Sequence, residues 1–405
     1  MANLGDSITY GNHAITGDIS ASNLSVSGNA EVEGTLTAAN VDTGNGATEI
    51  FDMNQDLRTD DNVAFATVNI GGATVGGTLN AANVSTGGAT VGGTLNAANV
   101  TIGGTDVFLP NNITVTVGSG GDYATINAAL AAIVKRKPLY DNSGITATIY
   151  LLAGFVMAEQ VLVRGLDLGW VTITGADAET TITNTALTAD FTTADYGFDS
   201  YPAFGVSKGG VLPRIDQLFR FDVANVGGYK HGIMAVGAGS SADVLAGAGV
   251  NDAGTDGIYA DNGSTIYAEG AVASGAGSYG INASSGSTIN AEGANASGAG
   301  TYGILATRGS TINANAANAI DAGTTGILAD QSSTINADGA NASGAGTYGI
   351  LATSGSTINA KGADASGAGS YGINASSGST INAGGATGTL SQAINTVTNN
   401  GIIFQ

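Results

Sequence analysis

From Asp256 to Gln392 the chain repeats itself every 23 residues. Gly-Ile recurs at Gly257, Gly280, Gly303, Gly326, Gly349 and Gly372, and Ser-Thr-Ile starts at Ser264, Ser287, Ser310, Ser333, Ser356 and Ser379. A repeat this regular is one supersecondary unit that buries its apolar side only against its neighbours, so the segment reads as a solenoid. Within one copy, residues 279–301, the pairs Ile281/Ala283, Ile289/Ala291 and Ala294/Ala296 alternate with Asn282, Asn290 and Asn295. A period of two signals strands, and the Gly, Ser and Asn clusters between them signal turns. Each copy is therefore expected to be three short strands bent around a small core, which is one coil of a parallel β-helix. Helical repeats are excluded by the Gly, Ser, Thr and Asn content, and the leucine-rich pattern is missing. Coils stacked at strand spacing rise about 4.8 Å each, so identical residues fall into columns.

With Ile and Ala inside, an outward column carries Thr288/Asn290, Thr311/Asn313, Thr334/Asn336, Thr357/Asn359 and Thr380/Asn382, while the first coil has Thr265/Tyr267. The opposite facing would bury these polar groups and expose Ile. Two readings of the column stay open: an Asn ladder sharing amide hydrogen bonds, or a flat hydroxyl and amide array for a sugar or ice surface.

Glycine contributes 65 of 405 residues and charged residues only 11%, a composition suited to stacked thin strands rather than one large globular core. A net charge of −21 argues against nucleic acid, since beyond residue 220 only Lys230, Arg308 and Lys361 could meet phosphate. Without cysteine no disulfide or thiolate site forms. His13 and His231 are the only histidines and calcium-type Gly-Gly-x-Gly-x-Asp repeats are absent, so no metal or cofactor is expected; His231 reads as a surface or packing residue. The start lacks a basic-then-apolar leader, and the longest apolar run, residues 147–158, is too short to span a bilayer, so membrane insertion is not expected.

Ahead of the coils, Ala-Thr-Val-Gly-Gly-Thr-Leu-Asn-Ala-Ala-Asn-Val occurs at Ala73 and again at Ala89, with a looser copy at Ala30. So few large apolar residues cannot make a core in one chain, which predicts several chains, three in number, wound into an intertwined β-shaft. Beside these copies stands Asn54-Gln-Asp-Leu-Arg-Thr-Asp-Asp-Asn-Val-Ala-Phe65. This phrase resembles one found in tail-fibre and related appendage proteins of tailed bacteriophages, departing from it at Ala64, where Thr is more usual. The resemblance implies a homotrimer on the virion surface, acting outside the host cell. It also implies attachment to other virion structural proteins through the N-terminal segment and host recognition far from that point.

In Val115-Thr-Val-Gly-Ser-Gly-Gly-Asp-Tyr-Ala-Thr-Ile126 and the residues after it, Asp122 is placed to cap a helix. Its apolar face is Ile126, Ala129, Leu130 and Ile133; Lys135, Arg136 and Lys137 form its basic end and Pro138 follows. Such a helix would plug the end of the solenoid core. Residues 147–155 and 171–177 are similar to the opening coils of the pectate-lyase-like right-handed β-helix superfamily, and the resemblance, covering 113–185, implies that architecture.

The fold class is thus all-β: a right-handed parallel β-helix of 23-residue coils with an N-terminal capping helix, preceded by a trimeric shaft. The expected divisions are an attachment segment and start of shaft (1–50), the 16-residue shaft repeats (51–112), the capping helix and irregular coils (113–230), the regular coils (231–385) and a C-terminal cap (386–405). The cap is required because an uncovered last coil would expose strand edges; the same tail could instead be a docking point for a tip protein or ligand.

The least repetitive stretch, Phe191 to Lys230, holds Tyr196, Phe198, Tyr201, Phe204, Phe219, Phe221 and Tyr229 beside Asp195, Asp199, Asp216 and Asp222. Aromatics here either stack on sugar rings or fill wider coils and a subunit contact. Carbohydrate-binding candidates are Tyr196, Phe198, Tyr201, Lys208, Arg214 and Tyr229, together with Thr288, Asn290, Thr311, Asn313, Thr334, Asn336, Thr357 and Asn359. Glycoside cleavage needs two carboxylates at a set separation; the four Asp residues are the candidates, and their spacing singles out no pair. The Gly-x-Gly patterns at Gly275 and Gly298 read as turns and not phosphate loops, since no helix and Lys follow. The function expected is a structural virion appendage binding host surface carbohydrate without catalysis. The first alternative is a polysaccharide depolymerase, hydrolase or lyase, on the same coils. The second is a bacterial adhesin, because Gly-Ile-x-Ala-x-x-Gly-Ser-Thr-Ile also resembles autotransporter passenger repeats.

Overall fold

Each 23-residue copy closes one coil whose first side is a strand such as Tyr279–Ala283 and whose second is a strand such as Thr288–Asn290. The computed structural model describes residues 64–70, 73–75, 79–86, 89–91, 95–102, 105–106, 108–109, 111–138, 144–183, 187–196, 199–222, 230–388, 395–398 and 400–405. The predicted attachment segment, 1–50, and most of the phage-like phrase lie outside these residues. First sides stack into a ten-stranded sheet and second sides into an eight-stranded sheet. Pairing is parallel and like sits on like: Ile281 faces Ile304, which faces Ile327, and Ile289 faces Ile312. Among the described residues no helix is long and apolar enough to cross a membrane.

The third run does not make a strand in the regular coils. It shrinks to one bridge position per coil, through Val272, Asn295, Asn318, Asn341, Asp364 and Thr387. Turn glycines flank it on both sides, Gly293 at φ 67° and Gly298 at φ 68°, leaving almost no straight backbone between them. Earlier coils do carry strands on this side, including Thr180–Ile182 and Leu218–Phe221, in a four-stranded sheet.

The inward set is as the alternation predicts: Ile281, Ala283, Ile289, Ala291, Ala294 and Ala296 are all fully buried. Each buried Ile contributes about 1.5–3 kcal/mol, more than any one of the Ala residues beside it. Two repeat residues have roles that alternation does not reveal. A Cβ on Gly303 would lie 2.6 Å from the Ala319 Cβ and 2.7 Å from the Gly326 carbonyl oxygen, so the coil corner closes only around glycine. The repeated Ser is buried, and its hydroxyl accepts the amide N–H of the Ser one coil earlier: Ser287 N to Ser310 Oγ at 3.2 Å, Ser310 N to Ser333 Oγ at 3.1 Å, and onward.

At the other end, helix Ile126–Ile133 turns Ile126, Ala129, Leu130 and Ile133 into the core. Its cap is not Asp122. Thr125 caps it, accepting from the Ala128 amide, and Glu159 takes the amides of Ile126 (2.6 Å) and Asn127 (3.1 Å). Asp122 instead folds back on Thr116, accepting its amide and its hydroxyl, both at 2.8 Å, and these bonds hold the carboxyl below its usual range.

The 16-residue copies pair with each other inside one chain, parallel and in register, Leu79 on Leu95 and Ala73 on Ala89. At the C-terminal end the tail continues the ladder. Asn395–Thr398 extends the ten-stranded sheet and Ile402–Phe404 the eight-stranded one. Ile402 and Phe404 remain exposed.

Candidate functional site

Two outward faces hold organised polar groups. On the eight-stranded sheet the central positions of the outward column are Asn290, Asn313, Asn336, Asn359 and Asn382, in register from coil to coil. Each Nδ2 donates to the Oδ1 one coil earlier, at 2.9, 3.1, 2.8 and 3.1 Å. Asn290 begins the chain by donating to the Glu269 carboxylate. The amides therefore serve the ladder, and every dipole in it points the same way. Beside them Thr288, Thr311, Thr334 and Thr357 form an exposed hydroxyl row. Aromatic residues replace Asn at both ends of the column: Tyr267 precedes Asn290 and Phe404 follows Asn382, 54% and 56% exposed.

The outward face of the ten-stranded sheet is different. Its early coils are covered by the segment around Phe191, which packs on Met234 and Val236. Gly205 makes room for it, since a Cβ there would come within 3.0 Å of the Phe191 ring. Arg164 closes the other side, its guanidinium 4.9 Å from the ring centroid and bonded to the Phe191 carbonyl. Just beyond this cover lie His231, Asp256, Tyr259, Asp261 and Asn282. His231 Nδ1 is 3.3 Å from Asp256 Oδ2, within ion-pair reach but off the line of a hydrogen bond, and its ring stacks on Tyr259 at 5.3 Å. Asn282 donates to the same Asp256 oxygen at 3.3 Å. Burial, then Asp261 and Asp256, push the Tyr259 hydroxyl far above its ordinary range, so it stays protonated. Burial, then Asp256, also raises Tyr279. Among the described residues, the buried side-chain atoms without a hydrogen-bond partner are Ser207 Oγ, His231 Nδ1, Asp256 Oδ1, Asp261 Oδ1, Asn282 Oδ1 and Asn374 Oδ1. All belong to this sheet or, for His231, to the residues just before one of its strands. His231 is thus buried against a carboxylate, and Asn282 points outward as the alternation requires yet is buried too.

The other predicted site residues spread over several faces. Asp199 is exposed and accepts from the Thr193 hydroxyl. Asp216 ends the strand Arg214–Asp216 on one four-stranded sheet, while Asp222 follows Leu218–Phe221 on another. Arg214 pairs with Asp243 at 2.8 Å, and Lys208 is exposed at φ 57° in a turn. Tyr201 packs half-buried on the core. The side chains of Asp195 and Tyr196, and residues Phe198 and Tyr229, lie outside the described residues. Phe204, Phe219 and Phe221 are fully buried, with Phe204 and Phe219 rings 4.8 Å apart, so these aromatics fill wide coils. A charged cluster with no signal in the repeat pattern joins Arg220 to Glu179 at 2.8 Å and to Asp252 at 3.6 Å. Burial raises Asp252, with Arg220 opposing and Glu179 adding to the rise. Among the described residues no three His, Cys, Asp or Glu side chains converge as metal ligands would.

These stacked parallel coils define a right-handed parallel β-helix protein, and the family model described as "Right handed beta helix region" matches residues 232–387. Among solved structures, the chain is similar to the A-module of Azotobacter vinelandii mannuronan C-5 epimerase AlgE4, at 15% identity over 69% of this chain and 90% of that one, with a TM-score of 0.31. The AlgE6 A-module from the same organism gives 16% identity over 69% and 93%, with a TM-score of 0.27. None of the curated proteins compared with it matches the chain.

Proposed function

We propose that this chain is a homotrimeric virion appendage, anchored through its N-terminal segment to other virion proteins, whose β-helix binds host cell-surface carbohydrate without cutting it. The single observation that carries the adhesive part is the eight-stranded face, where an exposed Thr row and a self-satisfied Asn ladder repeat at coil spacing over a stiff support. Regular hydroxyls held on rigid strands lose little entropy on meeting a repeating polymer. Weak binding per chain is multiplied by copies on one particle. The appendage part is supported by the Asn54–Phe65 phrase. The test is binding of the full chain to host envelope polysaccharide by surface plasmon resonance, with sedimentation to count chains. Absence of glycan binding, or a monomer at micromolar concentration, rejects the respective part.

The depolymerase reading is favoured by one arrangement, the His231–Asp256 pair beside protonated Tyr259. Here Asp256, 3.3 Å from Nδ1, would favour the imidazole as a base, and the protonated Tyr259 hydroxyl would offer a hydrogen bond beside it. Release of reducing ends from host polysaccharide, lost in His231→Gln, would establish it.

A further inference from the structure

Tyr267 and Phe404 stand in the same outward column, separated by the Asn ladder, and the register from Tyr267 through Asn290 to Asn382 and Phe404 takes six strand steps. At strand spacing that is about 29 Å. Each residue is more than half exposed, although both sit on strands paired into the sheet. The amides between them are not equivalent along the column. Because each donates to the coil before, the chain of bonds ends in two acceptors: the Glu269 carboxylate at the Tyr267 end and Asn382 Oδ1 at the Phe404 end, which receives only the Gly384 amide at 3.4 Å. Aligned amide bonds polarise one another, which strengthens the terminal acceptor. Each end of the ladder thus joins an exposed aromatic face to an acceptor in want of a donor. Acidic side chains, Glu269 and Glu292 exposed and Asp338 half-buried, follow the ladder on its flank, where Lys361 is the one cation among the corresponding positions.

We propose that this column is a two-ended binding site for a neutral, hydroxyl-rich glycan strand lying along the solenoid, with one sugar ring stacked on Tyr267 and another on Phe404. This deepens the carbohydrate-binding reading and rests on it. An aromatic ring meets the C–H face of a pyranose while the sugar's hydroxyls donate to Glu269 at one end and Asn382 at the other. Uronate polymers are disfavoured, because their carboxylates would meet acceptors at both ends and an acidic flank on which Lys361 is the one cation. Strands shorter than about 29 Å reach one end only; longer ones gain the second contact as an intramolecular event.

The experiment uses the full chain against an array of length-graded neutral and uronate-bearing oligosaccharides, followed by calorimetry on the best neutral series. Expected are binding to neutral glycans, a step in affinity once the strand spans both ends, and about tenfold loss of that step in Tyr267→Ala or Phe404→Ala. Tyr267→Phe keeps the ring and should keep the step, and unchanged thermal unfolding shows that the Ala variants fold. Binding with no length step, equal binding of uronates, or variants that bind like the parent overturns this site while leaving carbohydrate binding intact. No binding to any glycan overturns the broader reading with it.

Discussion

Replacing Gly303 by Ala tests the packing of the coils at one methyl group. Gly303 has an ordinary backbone conformation, so the change brings no φ strain, only volume. The added Cβ would stand 2.6 Å from the Ala319 Cβ, 3.1 Å from the Ala319 Cα and 2.7 Å from the Gly326 carbonyl oxygen. Carbon atoms in contact settle at about 3.5–4.0 Å, so the overlap approaches 1 Å against backbone and a fully buried side chain, none of which can rotate away. Overpacking of this kind costs about 1–3 kcal/mol, and the rigid surroundings put it at the upper end. Gly384→Ala is the control, because a Cβ there meets nothing closer than 3.7 Å and other coils already carry Lys361 or Asp338 at that position; it should stay within about 0.5 kcal/mol of the parent. Unfolding rates in guanidinium are the readout, since stacked repeats need not unfold reversibly or in one step. Gly303→Ala should unfold much faster than the parent, and removing the Ala319 methyl in a double variant should restore part of the loss. Equal rates for Gly303→Ala and Gly384→Ala would refute the claim that the repeated glycine is a steric requirement.

Ser333→Ala removes the acceptor for the buried Ser310 N–H and should cost about 1–3 kcal/mol, with faster hydrogen exchange at Ser310 than at Thr311. Ser332 holds φ 61° at the position that is glycine in five other coils, so Ser332→Gly should stabilise by about 1 kcal/mol, seen as slower unfolding. Burial works to raise Asp190, but bonds from Thr193, Thr192 and Ser200 outweigh it and hold the carboxyl down to about 2. A depressed folded-state pKa contributes stability above the unfolded value near 3.9 that is lost as pH falls toward about 2. Residues 187–200 should therefore become protease-sensitive over that window, and Asp190→Asn should show the sensitivity already at neutral pH.

The regular coils were legible because the inward face of each strand is buried and the side-chain period is two, which places Ile281, Ala283, Ile289, Ala291 and their counterparts by position alone. Where a residue's role depends on the neighbouring coil, position within one repeat says nothing: Ser310 and Gly303 look like turn residues until the coil before supplies the N–H that Ser310 accepts and the coil after the carbonyl that crowds Gly303. The cap was misplaced for a similar reason. Asp122 is a better cap by composition than Thr125, but Glu159, 33 residues from Ile126, already serves the helix amides, which frees Asp122 for Thr116. The buried group around His231 escaped notice because its members are scattered through coils 231 to 282 and share only a face. Of the described aromatics of 191–230, Phe204, Phe219 and Phe221 enter the core from strands while Phe191 lies in the covering segment, a division that an irregular stretch does not declare.

That division bears on where recognition can reside in a solenoid. A column of identical residues satisfies itself, as the Asn ladder does, and a group whose donors and acceptors are spent on its own neighbours has little left for a ligand. Spare capacity appears where the column stops repeating, since the last member has a partner on one side only. Tyr267 and Phe404 mark both such places on the eight-stranded face, and the cover by Phe191 marks one on the ten-stranded face, where the unpartnered atoms of Asp256 and Asn282 begin. Substitutions inside the ladder, such as Asn336→Ala, should thus act mainly on stability, and substitutions at its ends mainly on binding. A ladder variant that folds normally yet abolishes glycan binding as completely as Phe404→Ala would break this separation.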